Sequence, residues 1–144
     1  MNCNSLTKVT IPYGVTTIGL GAFYMCQNLT DISIPESVTN IDMTAFSPTG
    51  LTSITLPKNL TKISENLFEA CGFTDIIIPD NVTSIDARAF YNCRYLKSIT
   101  IPKSTTIINN SAFSGCANLT TVYYKGSETD WNNIEISAQD NGNH

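Results

Sequence analysis

The chain is short of charge. Only 14% of its 144 residues are Asp, Glu, Lys or Arg, against about 25% in an average soluble domain. Its surface must therefore be built largely from uncharged Ser, Thr and Asn, which suits an extracellular coat better than a cytosolic enzyme. The net charge is −4 and no Lys/Arg cluster occurs. Phosphate backbones and anionic lipids select a basic footprint, so neither nucleic acid nor a membrane surface is expected as a partner. Long apolar runs are missing as well. Nothing approaches the roughly 20 apolar residues of a membrane span, and Met1 to Ser5 has neither the basic nor the apolar part of a secretory signal.

Histidine is almost absent too. His144 is the only one and ends the chain, so no Ser–His, Cys–His or His–metal constellation can be drawn. Carboxylates remain as acid and base. Asp31 and Asp75 share one outward column, but two rungs put them about 10 Å apart on an open face, beyond the separation used by inverting glycosidases. No catalysis, metal or cofactor is expected.

What the sequence does have is a repeat, and a repeat decides the fold. Leu6 to Pro12, Leu29 to Pro35, Leu51 to Pro57, Phe73 to Pro79 and Leu96 to Pro102 share one pattern: large apolar, two polar, apolar, variable, apolar, Pro. Leu119 to Lys125 is a sixth, degenerate copy. Eleven residues after each Pro comes a Phe, giving Phe23, Phe46, Phe68, Phe90 and Phe113. From Phe to the next leading residue is six positions at Phe23, Phe90 and Phe113 but five at Phe46 and Phe68. All length variation thus falls in one surface turn.

Each repeat reads as three segments. In Leu29 to Pro35 the two-residue period of a strand turns Ile32 and Ile34 inward and Asp31 and Ser33 outward, and Pro ends the pairing. The same reading makes Leu51 to Pro57 a strand. A second apolar pair, such as Val15 and Ile18 or Val82 and Ile85, predicts a short extended or irregular back segment. The spacing of Ala22, Phe23, Cys26 and Leu29 predicts a helical or 3₁₀ turn that buries Phe and Cys together. One such unit cannot bury enough apolar surface alone, so stability comes from stacking, with the five Phe rings in one buried column.

These residues resemble the BspA-like leucine-rich repeat family. Asp75 to Leu96 matches the family unit nearly position for position, and the likeness runs from about Cys3 to Ile136. The resemblance implies a right-handed solenoid with one parallel sheet, in surface proteins of oral and gut bacteria and of trichomonad parasites. It also implies adhesion or display and supplies no catalytic residue. Departures are local: Pro48-Thr49-Gly50 replaces the Cys-containing turn, Cys71-Gly72-Phe73 is shortened, and Thr105 replaces the usual Val.

The domain reading is about five and a half repeats over 1–125, a capping segment over 126–136 with Trp131 as a lid on the last turn, and a disordered tail over 137–144. Cys3 and Leu6 fall inside a repeat whose first half is missing, so the sequence reads as part of a longer array, its signal and anchor elsewhere. Its uncovered first repeat is expected to favour self-association.

The five cysteines occupy one repeat position. Adjacent rungs lie about 4.8 Å apart with parallel Cβ directions, whereas a disulfide wants Cβ atoms about 3.8 Å apart and turned together. The expectation is a column of free, buried thiols. Most outward strand positions carry hydroxyls, and the exceptions gather near Asp75, Ile77, Thr100 and Tyr123, the candidate partner-binding residues. Two functions fit: an adhesion or protein-interaction module of a microbial surface or secreted protein, its partner a protein such as a host extracellular one, or a structural spacer that displays another domain.

Overall fold

A computed structural model describes residues 3–137. His144 and all of the predicted tail except Ser137 lie outside them. The chain winds as a coil of three-sided turns. The front side carries β1 (Lys8–Thr10), β3 (Asp31–Ser33), β6 (Asp75–Ile77), β8 (Ser98–Ile101) and β10 (Thr121–Tyr124). The back side carries the two-residue strands β2 (Thr17–Ile18), β4 (Asn40–Ile41), β5 (Lys62–Ile63), β7 (Ser84–Ile85), β9 (Ile107–Ile108) and β11 (Glu135–Ile136). Every pairing is parallel, as a coil that always returns in the same sense requires. The repeat solenoid expected from the sequence is the fold.

Front-strand alternation follows the side chains. Ile76 and Ile99 are buried while Asp75 and Ile77 between and beside them are exposed. On the back side β2, β4, β5, β7 and β9 each bury their second residue, an Ile, and Thr105, where the pattern has Val, stays buried by donating its hydroxyl to the Val82 carbonyl at 2.9 Å.

The third side departs from the helical expectation. Phe and Cys are buried together as predicted, but through turns whose amides alternate in direction. Tyr24 and Cys26 donate back within the turn, to Gly21 and Phe23, while Phe23 and Met25 donate forward to Ala45 and Ser47 of the next repeat. The physical reason is a left-handed residue two positions before each Phe, at Gly21, Thr44, Asn66, Arg88 and Ser111, and another two after four of them, at Met25, Ala70, Asn92 and Gly115. A right-handed helix cannot contain such residues at that frequency. The alternation gives the coil a third inter-repeat ladder.

Inside runs the phenylalanine column. Successive rings from Phe23 to Phe113 lie 5.5, 5.9, 5.5 and 5.4 Å apart and are stacked, nearly parallel except for a 26° tilt between Phe68 and Phe90. Phe46, Phe68 and Phe90 are fully buried, whereas Phe23 and Phe113 at the column's ends are half-buried. Phe73 adds an edge-on contact to Phe68 at 5.3 Å.

One predicted strand does not form. Residues 51–57 belong to neither front sheet, so the front divides into β1–β3 and β6–β8–β10. The back divides too, into β2–β4 and β5–β7–β9–β11. The cause lies in the two shortened turns that flank this third repeat. In a full turn the residue after the leading Leu starts the ladder, as where Lys97 donates to the Thr74 carbonyl. In the short turn Gly72 donates instead to the Leu51 carbonyl, so the chain arrives out of step and the next residues do not pair. Gly50 ends the other short turn, and a Cβ there would collide with the Gln27 carbonyl oxygen. Side-chain bonds replace the missing ladder at this seam: Ser64 donates to the Ile41 carbonyl at 2.6 Å, and the Lys58 amide donates to Glu36 at 2.7 Å.

At the C-terminal end, helix α1 (Glu128–Asn132) starts at a capping box formed by Ser127 and Asp130. It sets Trp131 edge-on to Tyr124 at 5.2 Å, against the core. Val122 and Ile136 stay exposed at the same end, so Trp131 covers one corner of the last turn. The Ser137 amide still bonds the Ile108 carbonyl, which carries the back ladder to the last described residue.

Candidate functional site

The four residues singled out on the front face come together. Strand register sets Ile77 opposite Thr100 and Thr100 opposite Tyr123, with Asp75 opposite Ser98. All four line one open groove of about 750 Å³. Ile77 is 66% exposed and Tyr123 61%, so an aliphatic and an aromatic surface stand in water on either side of a half-buried threonine.

The groove lies where the front sheet is interrupted. Ser53, Ile54, Thr55 and Leu56 of the unpaired third repeat form its other wall. Leu51 to Pro57 carries the pattern of an ordinary rung, so periodicity alone reveals the decorated column but not the groove beside it. The signal was present in the two five-residue turns, each ending in Gly just before the leading residue.

The electrostatics are unevenly matched. Lys125 reaches back two rungs to Asp80 at 2.7 Å at the proline end of the groove, and Lys58 lines the same end. Asp75 takes a hydrogen bond from the Thr74 hydroxyl at 3.1 Å and pairs with no cation among the described residues. Asp31, the other carboxylate of its column, pairs with Lys8 at 2.9 Å.

No disulfide joins the cysteines among the described residues, and they stand in a column. The thiols of Cys71, Cys93 and Cys116 each donate to the carbonyl of the preceding repeat's Phe, at 3.2, 3.0 and 3.1 Å. Thr49 takes the position three after Phe that Cys holds elsewhere. It is buried, with its hydroxyl 3.5 Å from the Cys71 sulfur. The missing cysteine is thus replaced by a residue of similar size with a polar atom in the same place. Burial pushes the Cys71 thiol up to about 11. Burial and the neighbouring Cys3 do the same to Cys26, also to about 11. The neighbouring Cys116 and burial hold Cys93 far above the ordinary range, and the neighbouring Cys93 in turn lowers Cys116. Thiols of this kind are poor nucleophiles, except at the half-buried Cys116.

Six copies of the BspA type leucine rich repeat region match the sequence over residues 1–120 and 61–138. The chain belongs to that family. Among solved structures, a leucine-rich repeat protein of T. pallidum superposes with a TM-score of 0.83 at 28% identity, over 94% of this chain and 62% of that one. A leucine-rich repeat protein of Bacteroides ovatus gives 0.65 at 31% identity, over 84% of this chain and 38% of that one. The pneumococcal vaccine antigen PcpA gives 0.54 at 18% identity, over 83% and 39%, a likeness of fold alone. This chain therefore spans under two thirds of each of these proteins. No match emerges among curated proteins. Members of the BspA-type family are built on repeat scaffolds of the kind that mediate protein contacts. Among the described residues no helix is long and apolar enough to cross a membrane.

Proposed function

We propose that this chain is a non-catalytic protein-interaction module of a surface-displayed or secreted microbial protein, binding through the groove beside β6. The observation that carries this reading is the coincidence of two breaks in repeat symmetry. The one rung that fails to pair and the one column that replaces hydroxyls with Ile77 and Tyr123 border the same groove. Tyrosine is a common interface anchor because its ring buries large area and its hydroxyl can bond. An aliphatic neighbour one rung beyond the intervening Thr makes a contiguous patch rather than a scattered exposed residue. The sparse charge of the remaining surface fits display outside the cell.

The test is a double substitution, Ile77→Thr with Tyr123→Ser, which restores hydroxyls to the column. Melting should not change, because both side chains already face water. Binding to immobilised host extracellular proteins should fall by about tenfold or more. Undiminished binding by the stable double variant moves the site off this face. The spacer reading draws on the uniform hydroxyl column of Thr10, Ser33 and Thr55, all exposed. Absence of binding by the parent chain would favour it.

A further inference from the structure

Resting on the interaction-module reading, we propose that the groove's occupant is an extended peptide segment of the partner, held by its backbone against the free edge of β6. In a parallel ladder a residue's N–H and C=O point to the same side and successive residues alternate. The Thr74 carbonyl accepts from Lys97 and Ser98, and the Ile78 amide donates to Thr100. Thr74, Ile76 and Ile78 therefore face β8. Asp75 and Ile77 turn their N–H and C=O groups the other way, toward residues 51–57, which form no strand. Neither has a backbone partner there among the described residues. A solenoid ordinarily leaves such groups free only at its ends; here an edge opens in the middle of the array, and an unpaired edge is a template for an added strand.

The walls suit a peptide. Ile54 and Leu56 on one side and Ile76 and Ile78 on the other line the floor of the groove, and Ile54 is only half-buried. An extended segment sends alternate side chains to one face, so every second residue would meet this apolar floor while the others meet Ile77 and Tyr123 or water. Charge fixes the ends. Asp75, at the start of the strand, pairs with no cation among the described residues. At the proline end Asp80 is already matched by Lys125, while the ammonium of Lys58 makes no ion pair among the described residues. Five residues of strand separate the two ends, about 16 Å. The segment is accordingly one with a basic and an acidic residue about five positions apart and β-branched or other apolar residues between.

The probes are fluorescein-labelled, amidated heptapeptides with Lys and Glu at positions 1 and 6, in both orders, around alternating Val and Thr. Controls are the same peptides with neutral ends, and with alternate backbone nitrogens methylated. Fluorescence polarisation against the whole chain should show saturable binding of one charge order. Methylation of the nitrogens on the bonding edge should weaken it by about tenfold. Asp75→Asn or Lys58→Gln should weaken the charged peptide by about threefold and leave the neutral one unchanged. Equal binding of methylated and unmethylated peptides overturns the strand-addition inference. So does failure of every peptide while the Ile77→Thr, Tyr123→Ser variant still loses its protein partner. That second outcome leaves the module reading intact and assigns the groove to a folded surface. Retention of partner binding by the double variant would instead sink the module reading itself.

Discussion

The first two repeats and the last three are made from one unit, yet they form two separate front sheets. Apart from the degenerate sixth copy, both blocks have inward aliphatic residues at the same positions, the same Pro stops and third-side turns of one kind. What separates them is the third repeat, which has a shortened turn on each side and pairs with neither block along the front. The Phe column nevertheless runs through without a gap, widening only from about 5.5 to 5.9 Å at Phe46–Phe68. The third-side ladder also continues, with Phe46 donating to Leu67 and Phe68 to Ala89. Continuity of this array is thus carried by its core and third side, and its front sheet can be interrupted locally. That freedom is what leaves room for a groove.

The largest effect expected is on the shared column. Phe68 touches three rings and is fully buried, so Phe68→Ala should cost about 3 to 5 kcal/mol in denaturant unfolding. The same change at Phe23, half-buried at the column's end, should cost less than half as much. Equal losses at the two sites would mean that the seam is not bridged through the rings.

Alkaline pH offers a second probe of the same bridge, because Cys71 bonds the Phe46 carbonyl across it. Its thiol is raised from 9.0 to about 11 by burial. A raised folded value means that the unfolded chain loses the proton first. The thiol's contribution is therefore complete below pH 9 and is lost as pH rises toward 11, by about 2 to 3 kcal/mol for a shift of that size. Melting curves between pH 8 and pH 11 should fall more steeply for the parent chain than for Cys71→Ala. Parallel slopes would show that this thiol reaches solvent in the folded state.

The sequence made the fold legible because burial repeats: every column of Ile, Phe and Cys is visible as a period. The candidate column was legible for the same reason, since Ile77 and Tyr123 depart from a pattern of hydroxyls. Two things did not follow from periodicity. The turns around Phe23 carry apolar spacing compatible with a helix, and only backbone angles at residues such as Met25 and Asn92 exclude one. The unpaired rung depends on where Gly72 delivers the chain, and Leu51 to Pro57 taken alone keeps every side chain that a strand needs. Thr49 was legible in principle, standing three after Phe46 as each later Cys stands three after its own Phe.

A direct way to erase the difference between the blocks is to lengthen the turn before the third repeat. Replacing Gly50 with Gln-Asn, the pair found at Gln27-Asn28, restores the six-residue interval. The amides of Ser53 and Thr55 should then donate to the second repeat, as the equivalent Asp31 amide does to Thr7 of the first, with a gain of about 1 to 2 kcal/mol. Hydrogen exchange at those two amides should slow. An unchanged exchange rate, or a less stable protein, would mean that turn length is not what holds the strand out of register.

The smallest effect is the most local, and it needs no substitution. In β8, which has neighbours on both sides, successive amides are all hydrogen-bonded and should exchange at similar rates. In β6 the alternation leaves the Ile76 and Ile78 amides bonded and those of Asp75 and Ile77 without a backbone partner among the described residues, so exchange should alternate along a single strand. One net hydrogen bond of about 1 kcal/mol corresponds to several-fold in rate if local opening governs exchange. Asp75 and Ile77 should accordingly exchange faster than Ile76 by at least that factor, while Ser98 and Thr100 on the next strand match Ile99. Side-chain exposure does not produce the same pattern, because Thr100 alternates outward in β8 just as Ile77 does in β6. Uniform protection along β6 would show that residues 52–56 close against it in solution, joining the two front sheets and removing the free edge on which strand addition depends.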